Sequence, residues 1–251
     1  MIYFVKPRQH YWDCGDEECL KTHSGSYTDY YRLVELAEFS ICYVDEIDWQ
    51  SENTYINIYF CFPNQEKFPK DRKCKMIYWF LERDIEVKRD KRFDEVWISD
   101  RWAAKQTGYK YVILGTDIRL RMGEIELPKK FDFIHLSYET DRRARVYNFL
   151  RQTNQTIAPN AWGQERDGLL RQSKAMLAVH QDETPMIEPL RYALASVYHL
   201  PILAEYSHDF YPFKIAEKLP GLIRLYWLKP KFPLDSDYQF KNNVLKALEI
   251  K

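Results

Sequence analysis

Short runs of apolar residues alternate with amphipathic stretches along most of this chain. Runs rich in Ile, Val, Tyr and Phe predict strands at 2–5, 41–44, 55–62, 76–80, 95–99 and 111–114. These runs are continuously apolar, which is typical of strands covered on both faces. Helical spacing of apolar positions predicts helices at 27–39 and 100–106. The first part of the chain therefore alternates strands with helices.

A second series of elements follows the polar stretch 123–130, which contains Gly and Pro and is interpreted as a linker. Strands are predicted at 131–136, 156–158, 175–179 and 201–204, and helices at 141–152, 165–173 and 185–198. Such alternation implies right-handed crossovers and a parallel sheet. The predicted fold class is α/β, with two Rossmann-like parallel-sheet lobes facing a cleft. The lobes are assigned to 1–125 and 126–235, and an amphipathic helix in 236–251 is expected to pack back on them.

Composition and charge argue against several classes of function. The chain has 251 residues, 45% of them hydrophobic, with 37 basic and 37 acidic side chains, so no global positive field indicates nucleic acid or an anionic membrane surface. None of the five cysteines forms a CxxC pair, so we expect reduced thiols, a cytoplasmic protein and no metal site. The apolar run at 2–5 ends at Pro7 and lacks signal-peptide features, and no membrane span is predicted.

The stretch "QDETPMIEPLRYALA", 181–195, places polar side chains where a strand gives way to a helix. Ligands of open parallel sheets bind at the carboxyl ends of strands, close to helix amino termini. A carboxylate at Glu188 could accept hydrogen bonds from two ribose hydroxyls. An alternative needs no ligand: acidic residues complement the dipole of any helix start, and Glu188 could pair with Arg191 or Tyr192 on the helix surface.

Three segments resemble one enzyme family. "SKAMLAVH" at 173–180, "EPLRYALA" at 188–195 and "LPILAE" at 200–205 resemble the carboxy-terminal lobe of GT-B-fold glycosyltransferases, and 131–138 with Arg142 and Arg143 extends the resemblance more loosely. Many family members carry a carboxylate where this chain has His180, and Pro189 and Arg191 also depart from the pattern. These departures look like those of compact, divergent bacterial or phage members.

The resemblance implies that the second lobe binds a nucleotide-sugar donor, expected to be UDP-linked, and that no other cofactor is needed. Arg143 is the first candidate for the diphosphate, although 142–145 could equally be a solvated helix face. Trp162 could cover the base of the donor, or lie in the core. The expected donor-binding residues are Arg143, Trp162, His180, Asp182, Glu183, Thr184 and Glu188.

The first lobe is expected to hold the acceptor. A long loop at 8–26 follows the first strand, and His23 and Asp29, in or beside it, are the candidate catalytic residues that would supply a general base. The predicted function is transfer of a hexosyl or pentosyl group to an acceptor that the sequence does not identify, with a surface glycan and a modified DNA base as candidates. Two alternatives stay open: a non-catalytic sugar-nucleotide-binding module, and a sugar-nucleotide epimerase. The sequence does not specify the donor sugar, the stereochemical outcome or the oligomeric state.

Overall fold

Two β-sheets, each with its own helices, organise the chain. The computed structural model describes residues 1–6, 25–58, 67–81, 91–121, 127–137, 139–161, 163–180, 185–219, 224–229 and 236–250. The first sheet lies between residues 2 and 111, and the second between 131 and 229. Both sheets fall inside the ranges assigned to the two lobes, and the exact lobe boundaries stay predictions.

The first sheet has six parallel strands in the order β2-β1-β3-β4-β5-β6. Their bounds are β1 Ile2–Lys6, β2 Ser40–Tyr43, β3 Thr54–Ile58, β4 Lys75–Phe80, β5 Glu95–Ile98 and β6 Lys110–Tyr111. Helix α1 spans Gly25–Leu36 and α2 spans Arg101–Thr107. Five consecutive residues of β4 are buried. A strand covered on both faces explains the unbroken apolar run in the sequence.

The second sheet has five strands in the order β10-β11-β9-β8-β7. Their bounds are β7 Phe131–Ile134, β8 Ser173–Ala178, β9 Ile202–Glu205, β10 Lys214–Leu219 and β11 Leu225–Lys229. The first three strands in chain order are parallel, as predicted, with helices α3 Asp141–Gln152, α4 Gly163–Gln172 and α5 Pro189–Val197 between or beside them. The two-lobed α/β fold is confirmed.

The expectation of a wholly parallel second sheet is wrong. Strand β11 pairs antiparallel with β9, and β10 pairs antiparallel with β11, so the sheet is mixed. No helix was predicted between β9 and the final amphipathic segment at 236–251, and a chain that turns back without a crossover returns antiparallel. The predicted strand at 156–158 is reduced to a single parallel bridge between Phe133 and Ile157.

Helix α5 lies between the lobes. All nine of its residues are buried, including Arg191, and it contacts both β8 and helix α1 of the first lobe. A helix that is apolar around most of its circumference is typical of a core position. The start of this helix is therefore held by packing on more than one side.

The final helix, α6 Phe240–Ala247, packs on the first lobe. The ring of Phe240 stacks on Trp79 of β4, with 5.8 Å between ring centroids. Beside it, Gly115 has a left-handed φ of 67°, and a Cβ there would lie 2.6 Å from the carbonyl oxygen of Tyr238. The returning chain therefore approaches this turn more closely than any side chain would allow.

Candidate functional site

The parallel strands of the second lobe end at one edge of the sheet, and polar side chains gather there. His135 follows β7 directly, His180 lies two residues beyond β8, and Glu205 is the last residue of β9. Helices α3 and α5 begin at the same edge, and the side chain of Thr140 caps α3 by accepting a hydrogen bond from the amide of Arg143. Carboxyl edges of this kind are the usual ligand sites of open α/β sheets.

Glu188 is the N-cap residue of α5, but its side chain does not cap the helix. Its Oε1 accepts a hydrogen bond from Nη2 of Arg143 at 3.3 Å, and its Oε2 pairs with Nη2 of Arg191. The Glu188 side chain is 20% exposed and that of Arg143 is 3% exposed. The contact with Arg191 is the one that helix spacing predicts for Glu188 without any ligand. The carboxylate therefore lies between two guanidinium groups and keeps a partly exposed surface.

A backbone contact anchors the side chain of Arg143. Its Nε donates to the carbonyl oxygen of Val179 at 2.9 Å, just beyond the end of β8. A guanidinium group anchored at one end presents its other donors in a fixed direction. The structure thus brings together two of the predicted donor-binding residues, Arg143 and Glu188.

A second ion pair joins α3 to β9. Arg142 contacts both carboxylate oxygens of Glu205, and the distance from its Nη1 to Oε2 is 2.6 Å. The same Nη1 donates a hydrogen bond of 3.0 Å to the carbonyl oxygen of His180. Oε2 of Glu205 in turn accepts a hydrogen bond of 3.0 Å from the backbone amide of His180. The ring Nε2 of His180 lies 2.9 Å from the carbonyl oxygen of Tyr206 and 3.2 Å from the hydroxyl of Ser207. His180, the third predicted binding residue in this region, is thus tied to β9 and the chain after it.

His135 is a buried histidine that sequence reasoning did not single out. Its ring lies against Tyr147 of α3, with 4.4 Å between centroids, and its Nδ1 lies 3.1 Å from the carbonyl oxygen of Ser137. Burial, reinforced by the positive charges of Arg191 and Arg143, lowers the pKa of His135 to about 4. The imidazole is therefore neutral near pH 7.

The edges of the two sheets face each other across a short polar seam. Asp100, which follows β5, caps α2: its Oδ1 accepts a hydrogen bond of 2.8 Å from the amide of Ala103. Its Oδ2 accepts a hydrogen bond of 3.3 Å from the amide of Ile187 in the second lobe. Arg101 pairs with Asp209 through two hydrogen bonds of 2.5 and 3.0 Å. The ring of Trp102 stacks on His208 at 4.0 Å. Burial raises the pKa of Asp100.

Asp29, one of the two candidate bases, lies in a buried ion pair between the lobes. Its carboxylate accepts two hydrogen bonds from Arg166 of α4, at 2.6 and 2.9 Å, and the two side chains are 4% and 6% exposed. Burial raises the pKa of Asp29, and the charge of Arg166 opposes this shift. The geometry gives this carboxylate a structural partner, and its role as a base stays a prediction.

Five predicted site residues lie outside the described residues: His23, Trp162, Asp182, Glu183 and Thr184. The roles assigned to them also stay predictions. Within the described ranges, no three His, Cys, Asp or Glu side chains are grouped so as to hold a metal ion. No helix in those ranges is long and apolar enough to cross a membrane.

Comparison with known proteins concerns both sequence and structure. No family model matches the sequence, and no curated protein does so either. The structure is similar to the crystal structure of AviGT4, a glycosyltransferase involved in avilamycin A biosynthesis. The chain has the fold of a glycosyltransferase. The similarity covers 84% of this chain and 85% of the other, with a TM-score of 0.54 and 11% sequence identity. It spans both lobes, and at this identity it establishes the fold alone.

Proposed function

We propose that this protein is a glycosyltransferase that takes a sugar from a nucleoside diphosphate sugar and transfers it to an acceptor. The observation that carries the proposal is the fold shared with a glycosyltransferase over 84% of the chain. A fold alone does not define a reaction, so the chemistry must come from the site. The carboxyl edge of the second sheet supports it, because it combines a partly exposed carboxylate with several guanidinium groups.

Glu188 is the residue proposed to hold the ribose. Its two carboxylate oxygens can accept hydrogen bonds from neighbouring hydroxyls, and ionised acceptors form stronger bonds than neutral ones. The ion pairs with Arg143 and Arg191 fix the orientation of this group. A carboxylate oxygen can accept more than one hydrogen bond, so ribose hydroxyls can bind without displacing the ion pairs.

The departing diphosphate needs positive charge close to it. Negative charge develops on the leaving oxygen as the bond to the anomeric carbon breaks, and fixed donors stabilise it. Arg142 is the more exposed of the two adjacent arginines, at 31%, whereas Arg143 is almost fully buried. We therefore assign the outer phosphate contact to Arg142 and the positioning of Glu188 to Arg143. The acceptor, a surface glycan or a modified DNA base, is proposed to bind on the first lobe.

A thermal-shift panel tests the donor assignment. UDP, GDP, ADP, CDP and their common sugar derivatives are added to the native protein and to two carboxamide variants, Glu188→Gln and Asp132→Asn. Asp132 lies at the opposite edge of the same sheet, where it pairs with Lys174, so it serves as a matched control. A ligand at 100 times its dissociation constant adds about 2.7 kcal/mol of stability, equivalent to roughly 5–10 °C for a chain of this size.

We expect one nucleotide to stabilise the native protein and the Asp132→Asn variant, and not Glu188→Gln. Each shift is measured from the unliganded melting temperature of that variant, since Glu188→Gln also weakens two ion pairs. If no nucleotide or sugar nucleotide shifts the native protein, the proposal is wrong. Hydrolysis of the donor, followed with and without acceptors, separates a transferase from a binding module. An epimerase would convert the sugar without an acceptor.

A further inference from the structure

His135 presents an acceptor at the same edge of the second sheet. The residue is 4% exposed and follows β7 directly. The carbonyl oxygen of Ser137 can only accept a hydrogen bond, so Nδ1 of His135 must carry the proton and donate it. In a neutral ring, Nε2 then bears a lone pair. Within the described residues, Nδ1 has a hydrogen-bond partner and Nε2 has none.

The surroundings define which ligand groups this lone pair can bind. An anion is excluded because the lone pair itself is an acceptor. A cation is disfavoured because the guanidinium groups of Arg191 and Arg143 act on the ring from nearby. A neutral donor such as a hydroxyl group remains. An acceptor that has no partner among the described residues and lies at a ligand edge is a candidate contact.

One guanidinium group places His135 beside Glu188. Nη2 of Arg191 contacts Oε2 of Glu188 and lies 3.4 Å from the carbonyl oxygen of Leu136, the residue next to His135. The charges of Arg191 and Arg143 also act on the imidazole, so the ring and the Glu188 carboxylate share these two arginines as neighbours.

We propose that Nε2 of His135 accepts a hydrogen bond from a ribose hydroxyl of the bound nucleotide, and so helps the site distinguish ribonucleotides from deoxyribonucleotides. This inference rests on the proposed function. His135 is a specificity residue that contacts the ligand without taking part in bond breaking. The packing against Tyr147 and the bond to Ser137 fix the direction of Nε2, so the contact requires little reorganisation.

Two substitutions separate the two ring nitrogens. In His135→Asn, the shorter amide can keep the bond to Ser137 and loses the acceptor at the position of Nε2. In His135→Gln, the longer amide oxygen can reach that position. The probe is whichever of UDP, GDP, ADP and CDP stabilises the native protein, with its 2′-deoxy and 3′-deoxy forms. Dissociation constants are measured by titration calorimetry.

We expect His135→Asn to weaken ribonucleotide binding by about three- to tenfold and to reduce the preference over one deoxy form by the same factor. We expect His135→Gln to bind within about threefold of the native protein, as one recovered hydrogen bond would allow. Native affinity and native discrimination in a folded His135→Asn variant would overturn the inference while leaving the proposed function intact. Failure of every nucleotide to bind the native protein would instead overturn the proposed function itself.

A measurement on the native protein covers the case in which neither variant folds. Nitrogen-15 NMR of labelled histidine distinguishes a protonated ring nitrogen from one with a lone pair. We expect Nε2 of His135 to show the lone-pair resonance without ligand and to move toward hydrogen-bonded values with ribonucleotide. A resonance that the ribonucleotide does not move, under conditions where binding is complete, would contradict the contact.

Discussion

The ion pair between Asp29 and Arg166 gives the sharpest test of how the lobes are joined. Its two hydrogen bonds link α1 of the first lobe to α4 of the second, and both side chains are nearly fully buried. Replacing Arg166 by Met keeps most of the apolar stem and removes the charge. The carboxylate of Asp29 would then stay buried with its principal cation gone.

We expect Arg166→Met to destabilise the fold by about 3–5 kcal/mol, the usual cost of breaking a buried pair on one side. At about 2–4 °C per kcal/mol for a chain of this length, the melting temperature should fall by roughly 6–20 °C. Circular dichroism during heating measures the loss. The matched control is the double variant Asp29→Leu with Arg166→Met, in which both charges are absent and the space is filled by apolar groups.

The double variant is expected to recover most of the lost stability, because a well-packed apolar pair can replace a buried ion pair at little cost. A loss below about 1 kcal/mol in the single variant would match an exposed pair and refute the reasoning. The double variant also tests Asp29 as a catalytic base. If it folds and retains sugar transfer, the general base must be another group.

Three further expectations follow from packing and charge. Gly115→Ala should lower the melting temperature more than Gly108→Ala, since both positions have a left-handed φ but Gly108 faces open space; equal losses would contradict the close approach at Gly115. Phe240→Ala should cost about 3–5 kcal/mol in urea unfolding, as for other buried aromatic truncations, and a change under 1 kcal/mol would mean that α6 does not support the first lobe. The lowered pKa of His135 should make stability fall from pH 6.5 toward pH 4, by up to about 3 kcal/mol, because the unfolded state binds the proton more tightly; His135→Gln should flatten this part of the pH profile, and an unchanged profile would contradict it.

The sequence predicts much of the fold because its signals are local. Continuous apolar runs identify buried strands such as β4, and alternation with helices implies parallel pairing. The hairpin of β10 and β11 was missed, since the described part of β10 is exposed and carries charged residues, as in "KIAEKL". Antiparallel pairing of β11 depends on a turn back, which apolar periodicity does not encode.

The site was predictable only in part, for a similar reason. Helix spacing of three residues is enough to suggest the contact of Glu188 with Arg191. Arg142 and Glu205, by contrast, are 63 positions apart, and their pairing depends on how β9 and α3 meet in three dimensions. His135 carried no motif. A single histidine near the end of the strand predicted at 131–136 was the available signal, and its environment becomes apparent only once three elements are assembled.

Asp100 ties one helix start in each lobe to a single carboxylate. Of its bonds to Ala103 and Ile187, only the one to Ile187 crosses between the lobes, so any rotation of one lobe against the other would have to lengthen that bond, unless the axis of rotation runs close by. We therefore expect Asp100 to act as a pivot, around which distant parts of the interface could swing while the segment leading into α5 stays in place. Opening of this protein would then be a hinge rotation about an axis near Asp100, and not a separation of the two lobes by translation.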